Sequence, residues 1–336
     1  MARHRHTLHG FAGTALGTAL LLGLAMPGGR AQTTKYPEHP VKVVVGFSAG
    51  GGTDVAARVI AQKLSETMGQ TFVVENRTGA SGLIASEQVA KSPADGYTLM
   101  VGSQTTVAVA PALYKKFQFD VTRDMTGIAM VGVSPLVAVV NPSLPVHSIK
   151  ELIALAKEKN GTMNFASGGV GTTPHMAGEL FAFTAGVKMV HVAYRGEAPA
   201  INDLLGGQIP FMFANLSAVV GNVQAGKLRA IAITSAKRSA TSPEIPTVSE
   251  SGLPGFDAAT WFALVAPAGT PRDIVARLNA QVQKIVAMPD VRQRFAALGM
   301  TAEEHHRTPD ELNAYIKSEI AKWAKVIQDA GVKTVD

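Results

Sequence analysis

The sequence of 336 residues contains no cysteine, and features of several other protein classes are also missing. Without cysteine the chain can form no disulfide, no thiolate nucleophile and no cysteine metal site. Charged residues make up only 17% of the chain, and lysine and arginine are scattered along it. No basic stripe interleaved with aromatic residues is present, so a nucleic-acid-binding surface is not indicated.

Two other signatures of common enzymes are missing as well. The chain has no H-E-x-x-H zinc motif and no cysteine that could act as a nucleophile. His175 and Glu179 stand four residues apart on a predicted helix, but no third metal ligand accompanies them. We therefore predict a protein that is not an enzyme, with no catalytic residue, metal or cofactor. A periplasmic hydrolase or lyase that uses His175 stays open as the less favoured alternative.

The first 31 residues resemble a secretory signal peptide. Arg3 and Arg5 precede the apolar run FAGTALGTALLLGLAM, and small residues follow near a predicted cut after Ala31. This run of about 16 residues is shorter than the roughly 20 that a membrane span requires. Its removal takes away three arginines and no acid, so the formal charge falls from +6 to +3. We expect an exported, mildly basic protein of the periplasm.

Apolar strands alternate with amphipathic helices along the rest of the chain. VKVVVGF at 41–47 precedes TDVAARVIAQKLSETMG, in which apolar residues recur at helical spacing before Gly69. Further strands are predicted at 71–76, 97–103, 135–140, 162–167, 188–194, 209–215, 228–235 and from 260. Continuous apolar strands between helices indicate parallel sheets that are covered on both faces. The sequence thus predicts the α/β class.

The repeated plan predicts two lobes that close like a clamshell. Each lobe is expected to hold a largely parallel sheet flanked by helices. After the signal peptide at 1–31, lobe I is predicted at 32–132 with 256–336, and lobe II at 133–255. The chain crosses between the lobes near Gly132 and Gly255.

Two glycine-rich loops follow buried strands, one in each predicted lobe. GFSAGGGTD stands at 46–54 and ASGGVGTTPH at 166–175. Because ligands of open parallel sheets bind beyond the carboxyl ends of the strands, both loops occupy a ligand position. The first loop lacks the third glycine of a dinucleotide fingerprint, the second has Pro174 in that place, and no G-K-[ST] follows either. Nucleotide binding is therefore not indicated.

Capture of an anion by backbone amides is the interpretation that remains for both loops. Glycine lets the backbone approach a ligand closely, and the first helical turn offers unpaired N–H groups with a partial positive charge. Thr53, Asp54, Thr172 and Thr173 are suited to capping these helices, and the threonine hydroxyls to contacting a ligand. Either loop alone could be a plain tight turn, but two in facing positions favour a binding protein.

Five segments of the chain match one known family in the same order. They are YPEHPVKVVVGFSAGGGTDVAARVIAQKLSETMGQTFVVENRTGASG, DGYTLMVGS, GTTPHMAGELF, VHVAYRGEAPAINDLLGGQIPFMF and the stretch from AGKLRAIAITS to TWFALVAPAGTP. In these segments the chain resembles the Bug receptors, the periplasmic substrate-binding proteins of tripartite tricarboxylate transporters. The resemblance runs from Tyr36 to about Lys333. It implies a two-lobed periplasmic binding fold of the type II class, a Venus flytrap.

The resemblance also implies a ligand and a partner. The ligand would be a small organic carboxylate with one to three carboxyl groups, aliphatic or aromatic, held partly through ordered water. A monomeric receptor would deliver it to the membrane subunits of a tripartite tricarboxylate transporter; a receptor for a signalling partner is the alternative. The implied ligand contacts are Phe47, Ser48, Gly51, Thr53, Ser103, Gln104, Gly169, Gly171, Thr172, Thr173, His175, Tyr194 and Asn215.

Three positions bear on which acid is bound. Where the family loop often reads FPPGG this chain has FSAGG, which adds the hydroxyl of Ser48. Ala214 stands where the family's frequent MFDN has an acid. Because an unpaired buried ammonium group is costly, we expect a receptor that does not bind amino acids. Arg195 pairs either with a second ligand carboxylate or with a surface acid.

Overall fold

The structure is a computed structural model that describes residues 36–115, 119–239, 242–302, 308–329 and 332–335. The predicted signal peptide at 1–31 lies outside these residues. In the described ranges, no helix combines the length and the apolar character that crossing a membrane demands.

One continuous sheet runs through the described part of the chain. Its strands are β1 (Val41–Val45), β2 (Phe72–Asn76), β3 (Thr98–Ser103), β4 (Met125–Val140), β5 (Asn164–Ser167), β6 (Val190–Ala193), β7 (Phe211–Asn215), β8 (Arg229–Ile233), β9 (Ala259–Pro267) and β10 (Thr301–Ala302). Neighbouring strands follow the order β2-β1-β3-β9-β4-β7-β5-β6, and β8 and β10 also pair with β4. β4 therefore joins two halves of the sheet.

β4 changes partners along its length. Residues 125–135 pair antiparallel with β9, and residues 136–140 pair antiparallel with β7 and β8. The register with β9 shifts between Gly127 and Ala129 and again between Met130 and Gly132, which marks bulges that increase local twist. The sequence predicts a strand only at 135–140, because glycines weaken the strand signal before it. Gly132 is required there, since a Cβ would lie 2.7 Å from the carbonyl oxygen of Thr301.

The two-lobed α/β class is confirmed. The parallel pairs are β1 with β2 and β3, and β5 with β6 and β7. The pairs around β4 are antiparallel, so each half of the sheet is mixed where it meets the other. The predicted lobe boundaries near Gly132 and Gly255 stay a prediction.

Helices cover both faces of the sheet. They are α1 (Gly52–Met68), α2 (Leu83–Ala90), α3 (Ala110–Leu113), α4 (Val121–Asp124), α5 (Ile149–Glu158), α6 (Thr173–Ala185), α7 (Glu197–Leu205), α8 (Leu216–Gln224), α9 (Arg272–Ala287), α10 (Pro289–Ala297) and α11 (Pro309–Asp329). A 3₁₀ turn at Ala80–Gly82 precedes α2, and a π-helical turn at Thr105–Val109 precedes α3. As predicted, α1 ends at Gly69, which is left-handed with φ of 75°.

Alternate side chains of each strand enter separate apolar cores. In β1, Val43 and Val45 pack with α1 and α9, whereas Val44 packs on the opposite face with α2 and α11. The second half repeats this arrangement, with Phe213 on one face of β7 and Met212 on the other. The strands look continuously apolar in the sequence because both faces are buried.

Two helical glycines offer a test of this packing. A Cβ at Gly178 in α6 would lie 2.2 Å from Cε2 of the buried Phe165, whereas a Cβ at Gly221 in α8 would meet no atom within 4 Å. We expect Gly178→Ala to lower the free energy of unfolding by about 1–3 kcal/mol through overpacking. The control Gly221→Ala should raise it by about 0.5–1 kcal/mol through helix propensity. Denaturant unfolding measures both, and equal effects would contradict the packing described for α6.

Candidate binding site

A small cavity lies at the carboxyl ends of β1, β3, β5 and β7, between the starts of α1 and α6. We call it the inner cavity, and its lining residues are Phe47, Gly51, Gly52, Thr53, Ser103, Thr105, Gly168, Thr172, Pro174, Glu197, Asn215 and Thr260. Its volume of about 20 Å³ is enough for roughly one water molecule. The two halves of the molecule are therefore closed on each other at this point.

Glycines make this close approach possible. A Cβ at Gly52, the first residue of α1, would lie 2.8 Å from Cβ of Asn215 at the end of β7. Across the same cleft, a Cβ at Gly196 would lie 2.3 Å from Oγ of Ser48, and Gly196 has a φ of 125° that L-residues rarely adopt. Backbone of one half thus packs directly against the other half, which accounts for glycine at these positions.

Unpaired polar atoms are concentrated at the inner cavity. Four buried side-chain oxygens have no hydrogen-bond partner within the described residues: Ser48 Oγ, Ser103 Oγ, Asn215 Oδ1 and Thr260 Oγ1. All except Ser48 belong to residues that line the inner cavity, and these residues are only 1–5% exposed. Each such atom costs about 1–3 kcal/mol when it stays unpaired. Their convergence indicates a site for a polar ligand.

The larger grooves of the molecule are not lined by unpaired polar atoms of this kind. Two grooves of about 560 and 710 Å³ run beside α11. None of the four unpaired oxygens belongs to a residue that lines either groove. We therefore take the inner cavity, although much smaller, as the candidate site.

Side chains hold the first loop in shape at the start of α1. Asp54 accepts a hydrogen bond from the amide of Gly50 (2.9 Å), and Asn76 donates both to Asp54 and to the carbonyl of Phe47 (2.9 Å each). Burial opposes ionisation of Asp54, but hydrogen bonds from Arg58, Gly50 and Asn76 outweigh it and lower the pKa. Asp54 therefore secures the loop instead of capping the helix, because the N-cap residue of α1 is Gly51 and no side chain caps this helix.

The amides of the second loop are already paired with protein acceptors. Gly169 N donates to Ser167 Oγ (3.1 Å) and Gly171 N to Nδ1 of His175 (3.0 Å). Thr173 N donates to Oγ1 of Thr105 (3.1 Å), and His175 N donates to the capping Thr172 (3.3 Å). In this closed arrangement, the second loop presents side chains more than free amides to the cavity.

Glu197 is a buried charged residue of the site that was not predicted from the sequence. This first residue of α7 is 7% exposed and lines the inner cavity. Its carboxylate accepts three N–H groups: Gly52 N (3.2 Å), Asn215 N (2.7 Å) and Asn215 Nδ2 (2.8 Å). Burial raises the pKa of Glu197, and the hydrogen bonds from Asn215 and Gly52 oppose that rise. Only the acid in YRGEAPA, directly after a predicted strand, could have signalled it.

Glu197 also changes the argument about amino acids. The expectation that amino acids are not bound rests on Ala214, which lacks the carboxylate of the family pattern. The structure brings another buried carboxylate, Glu197, to the cavity, where it bonds Asn215 directly beside Ala214. The expectation therefore loses the premise on which it depends.

The structure distributes the predicted contacts over three places. The inner cavity is lined by Phe47, Gly51, Thr53, Ser103, Thr172 and Asn215. Gly169 and Tyr194 instead line a neighbouring cavity of about 230 Å³, the outer cavity, which also contains Arg195 and shares Phe47 and Gly168 with the inner one. Neither cavity is lined by Ser48, Gln104, Gly171, Thr173 or His175. Six residues that line the inner cavity are not predicted from the sequence, namely Gly52, Thr105, Gly168, Pro174, Glu197 and Thr260.

His175 supports the second loop from behind. Its Nδ1 accepts the amide of Gly171, and its ring lies 3.9 Å from the ring of His191, centroid to centroid. Burial, and then the neighbouring His175, lower the pKa of His191 to about 3, so this imidazole stays neutral at physiological pH. Nε2 of His175 lies 3.4 Å from Glu179, and the described residues include no group of three His, Asp or Glu that could hold a metal ion.

Gln104 connects the cleft to α11. Its Oε1 accepts the hydroxyl of Thr173 (3.2 Å), and its Nε2 donates to Glu319 (2.6 Å). The same oxygen of Glu319 accepts the indole N–H groups of Trp261 and Trp323 (3.2 Å each). A chain of hydrogen bonds thus links the start of α6 to the only two tryptophans of the sequence.

Comparison with known proteins identifies the family. Residues 56–332 match the sequence profile of the tripartite tricarboxylate transporter family receptors, TctC. Protein BugT of Bordetella pertussis is 39% identical over 312 residues, which cover 93% of this chain and 94% of BugT.

Solved structures agree with this match. Rpa4515 of R. palustris, solved with adipate, has a TM-score of 0.86 and 36% identity, covering 89% of this chain and 100% of that one. MatC from Rhodopseudomonas palustris, solved with bound malate, has a TM-score of 0.82 and 33% identity, covering 87% and 100%. The Bug-receptor resemblance of the sequence is thereby confirmed: the chain belongs to the family of tripartite tricarboxylate transporter receptors, TctC, which are solute-binding proteins.

Proposed function

We propose that this protein is a periplasmic receptor that captures a small organic carboxylate at the inner cavity and delivers it to the membrane subunits of a tripartite tricarboxylate transporter. The observation that carries the proposal is the convergence of the unpaired hydroxyls of Ser103 and Thr260, which can donate to an anion, on one cavity between two helix starts. The adipate and malate in the related structures support a carboxylate as the ligand.

The site suits a carboxylate because it offers donors from several directions. The hydroxyls of Ser103 and Thr260 would each donate to a carboxylate oxygen, and a hydrogen bond to a charged group contributes about 1.5–3 kcal/mol. The partial positive charge at the start of α1 adds up to about 2 kcal/mol when partly buried. A few such contacts, less the cost of ordering, reach the roughly −8 kcal/mol of micromolar binding.

Ligand entry requires the cleft to open. Any organic acid is larger than the roughly one water molecule that fits the closed cavity. We infer that lobe I (32–132 with 256–336) and lobe II (133–255) separate to admit the acid and close around it. We also propose that residues 1–31 direct export and that the receptor acts as a monomer.

Two buried threonines allow the proposal to be tested. Thr260 has an unpaired hydroxyl, whereas the hydroxyl of Thr234 accepts the amide of Leu136 and donates to its carbonyl (3.0 Å each). We expect Thr260→Val to weaken carboxylate binding by about tenfold without lowering the stability of the ligand-free protein. Calorimetry and thermal denaturation would be run against mono-, di- and tricarboxylates, after unfolding and refolding to remove bound ligand.

The control Thr234→Val should do the reverse. It leaves Leu136 without its partner, so the free energy of unfolding should fall by about 1–3 kcal/mol while affinity is retained. Wild-type protein that binds no carboxylate would refute the proposed function. If Thr260→Val binds carboxylates with unchanged affinity, the hydroxyl of Thr260 does not contact the ligand.

The tryptophans provide a readout of closure. Because Gln104 joins Thr173 of α6 to Glu319 and its two indole partners, closure on a ligand should alter the surroundings of both indoles. We expect a saturable change in tryptophan emission whose midpoint equals the calorimetric Kd. Free N-acetyltryptophanamide titrated with the same acid controls for quenching. Binding without any change of emission would show that the hydrogen-bond chain does not report closure.

A further inference from the structure

Glu197 places a carboxyl group inside the cavity proposed to bind an anion. Its carboxylate lines the inner cavity together with hydroxyls, an amide and backbone, and no Lys, Arg or His is among the lining residues. Surface acids are common, but this carboxyl group is buried and aimed at the start of α1, where it accepts Gly52 N. A charge in this position must influence which anions the cavity accepts.

The hydrogen bonds of Glu197 correspond to its ionised form. All three partners, Gly52 N and both nitrogens of Asn215, are donors, so neither oxygen of the carboxylate needs a proton to be satisfied. The start of α1 adds a partial positive charge beside one of these oxygens. Burial acts in the opposite direction and raises the pKa, but an ionised carboxylate remains the form that fits these contacts.

Glu197 uses part of the positive potential that a ligand would otherwise meet. It already accepts the first amide of α1, and the amides of Thr173 and His175 at the start of α6 are paired with Thr105 and Thr172. The unpaired hydroxyls of Ser103 and Thr260 at the cavity are sufficient for one carboxylate group. A second carboxylate in the same cavity would meet the like charge of Glu197 without a cation to offset it.

We propose that Glu197 is a specificity-determining residue that limits the inner cavity to one carboxylate group, so that the receptor prefers monocarboxylates to di- and tricarboxylates. The inference rests on the proposed carboxylate-binding function. The preferred ligand of this chain would then differ from adipate and malate, the two dicarboxylates with which relatives were solved.

Arg195 could hold the second carboxylate of a dicarboxylate, so its substitution is the matched control for Glu197→Gln. It lines the outer cavity, which adjoins the inner one at Phe47 and Gly168, and it makes no ion pair within the described residues. A long dicarboxylate could extend its distal carboxylate to Arg195 and so avoid Glu197. The two residues thus predict opposite effects of charge removal on dicarboxylate binding.

The experiment compares acids that differ only in a terminal carboxylate. Hexanoate is paired with adipate, and 2-hydroxybutyrate with malate, in calorimetry of the refolded protein at neutral pH. We expect wild-type protein to bind the monocarboxylate of each pair at least about tenfold more tightly, since like charges a few ångströms apart repel strongly in a buried site. Glu197→Gln should reduce that preference by about tenfold, whereas Arg195→Gln should leave it within about twofold.

Each outcome decides the question. Wild-type protein that binds adipate or malate as tightly as its partner acid would overturn the inference, even if Glu197→Gln did not fold. A loss of dicarboxylate binding in Arg195→Gln would also overturn it and assign the distal carboxylate to the outer cavity. If Glu197→Gln changes the affinity for both acids of a pair equally, Glu197 has a structural role and does not determine specificity. Binding of none of the four acids would instead contradict the proposed function itself.

Discussion

The contact of Glu197 with the first amide of α1 and with Asn215 holds the closed molecule together at its centre. It joins a helix start in one half of the sheet to a strand end in the other, through three hydrogen bonds of one buried carboxyl group. The absence of a side chain at Gly52 allows this approach. The small size of the cavity and the hydrogen bond from the amide of Thr173 to Thr105 follow from the halves meeting this closely.

The features of the fold that depend on neighbouring residues could be predicted from the sequence. Both glycine-rich loops lie where the strand and helix patterns place them, because apolar periodicity and glycine act over a few residues. The sequence predicts β4 only over its last six residues. Its first ten residues owe their strand conformation to pairing with β9, more than a hundred residues later, and Gly132 there is selected by contact with β10. Long-range pairing of this kind leaves little local signal.

The binding site was predictable to the level of its loops. The family pattern identified Thr53, Ser103 and Asn215, which line the cavity, but it also suggested His175 and Gln104, which support the loop and connect to α11. Thr260 and Glu197 were missed because neither belongs to a glycine-rich loop. Thr260 matters because its buried hydroxyl has no hydrogen-bond partner, and Glu197 because its buried carboxyl group accepts three hydrogen bonds. Both properties arise only when distant segments are brought together.

The continuity of β4 has a mechanical consequence. A strand whose hydrogen bonds run to β9 along one stretch and to β7 and β8 along the next cannot slide, since sliding would break both ladders at once. Opening of the two lobes, as proposed above, would keep both ladders only if β4 twists near Ser134 and Pro135, where one set of partners gives way to the other. The register shift with β9 between Met130 and Gly132 lies beside this point, and bulges increase local twist.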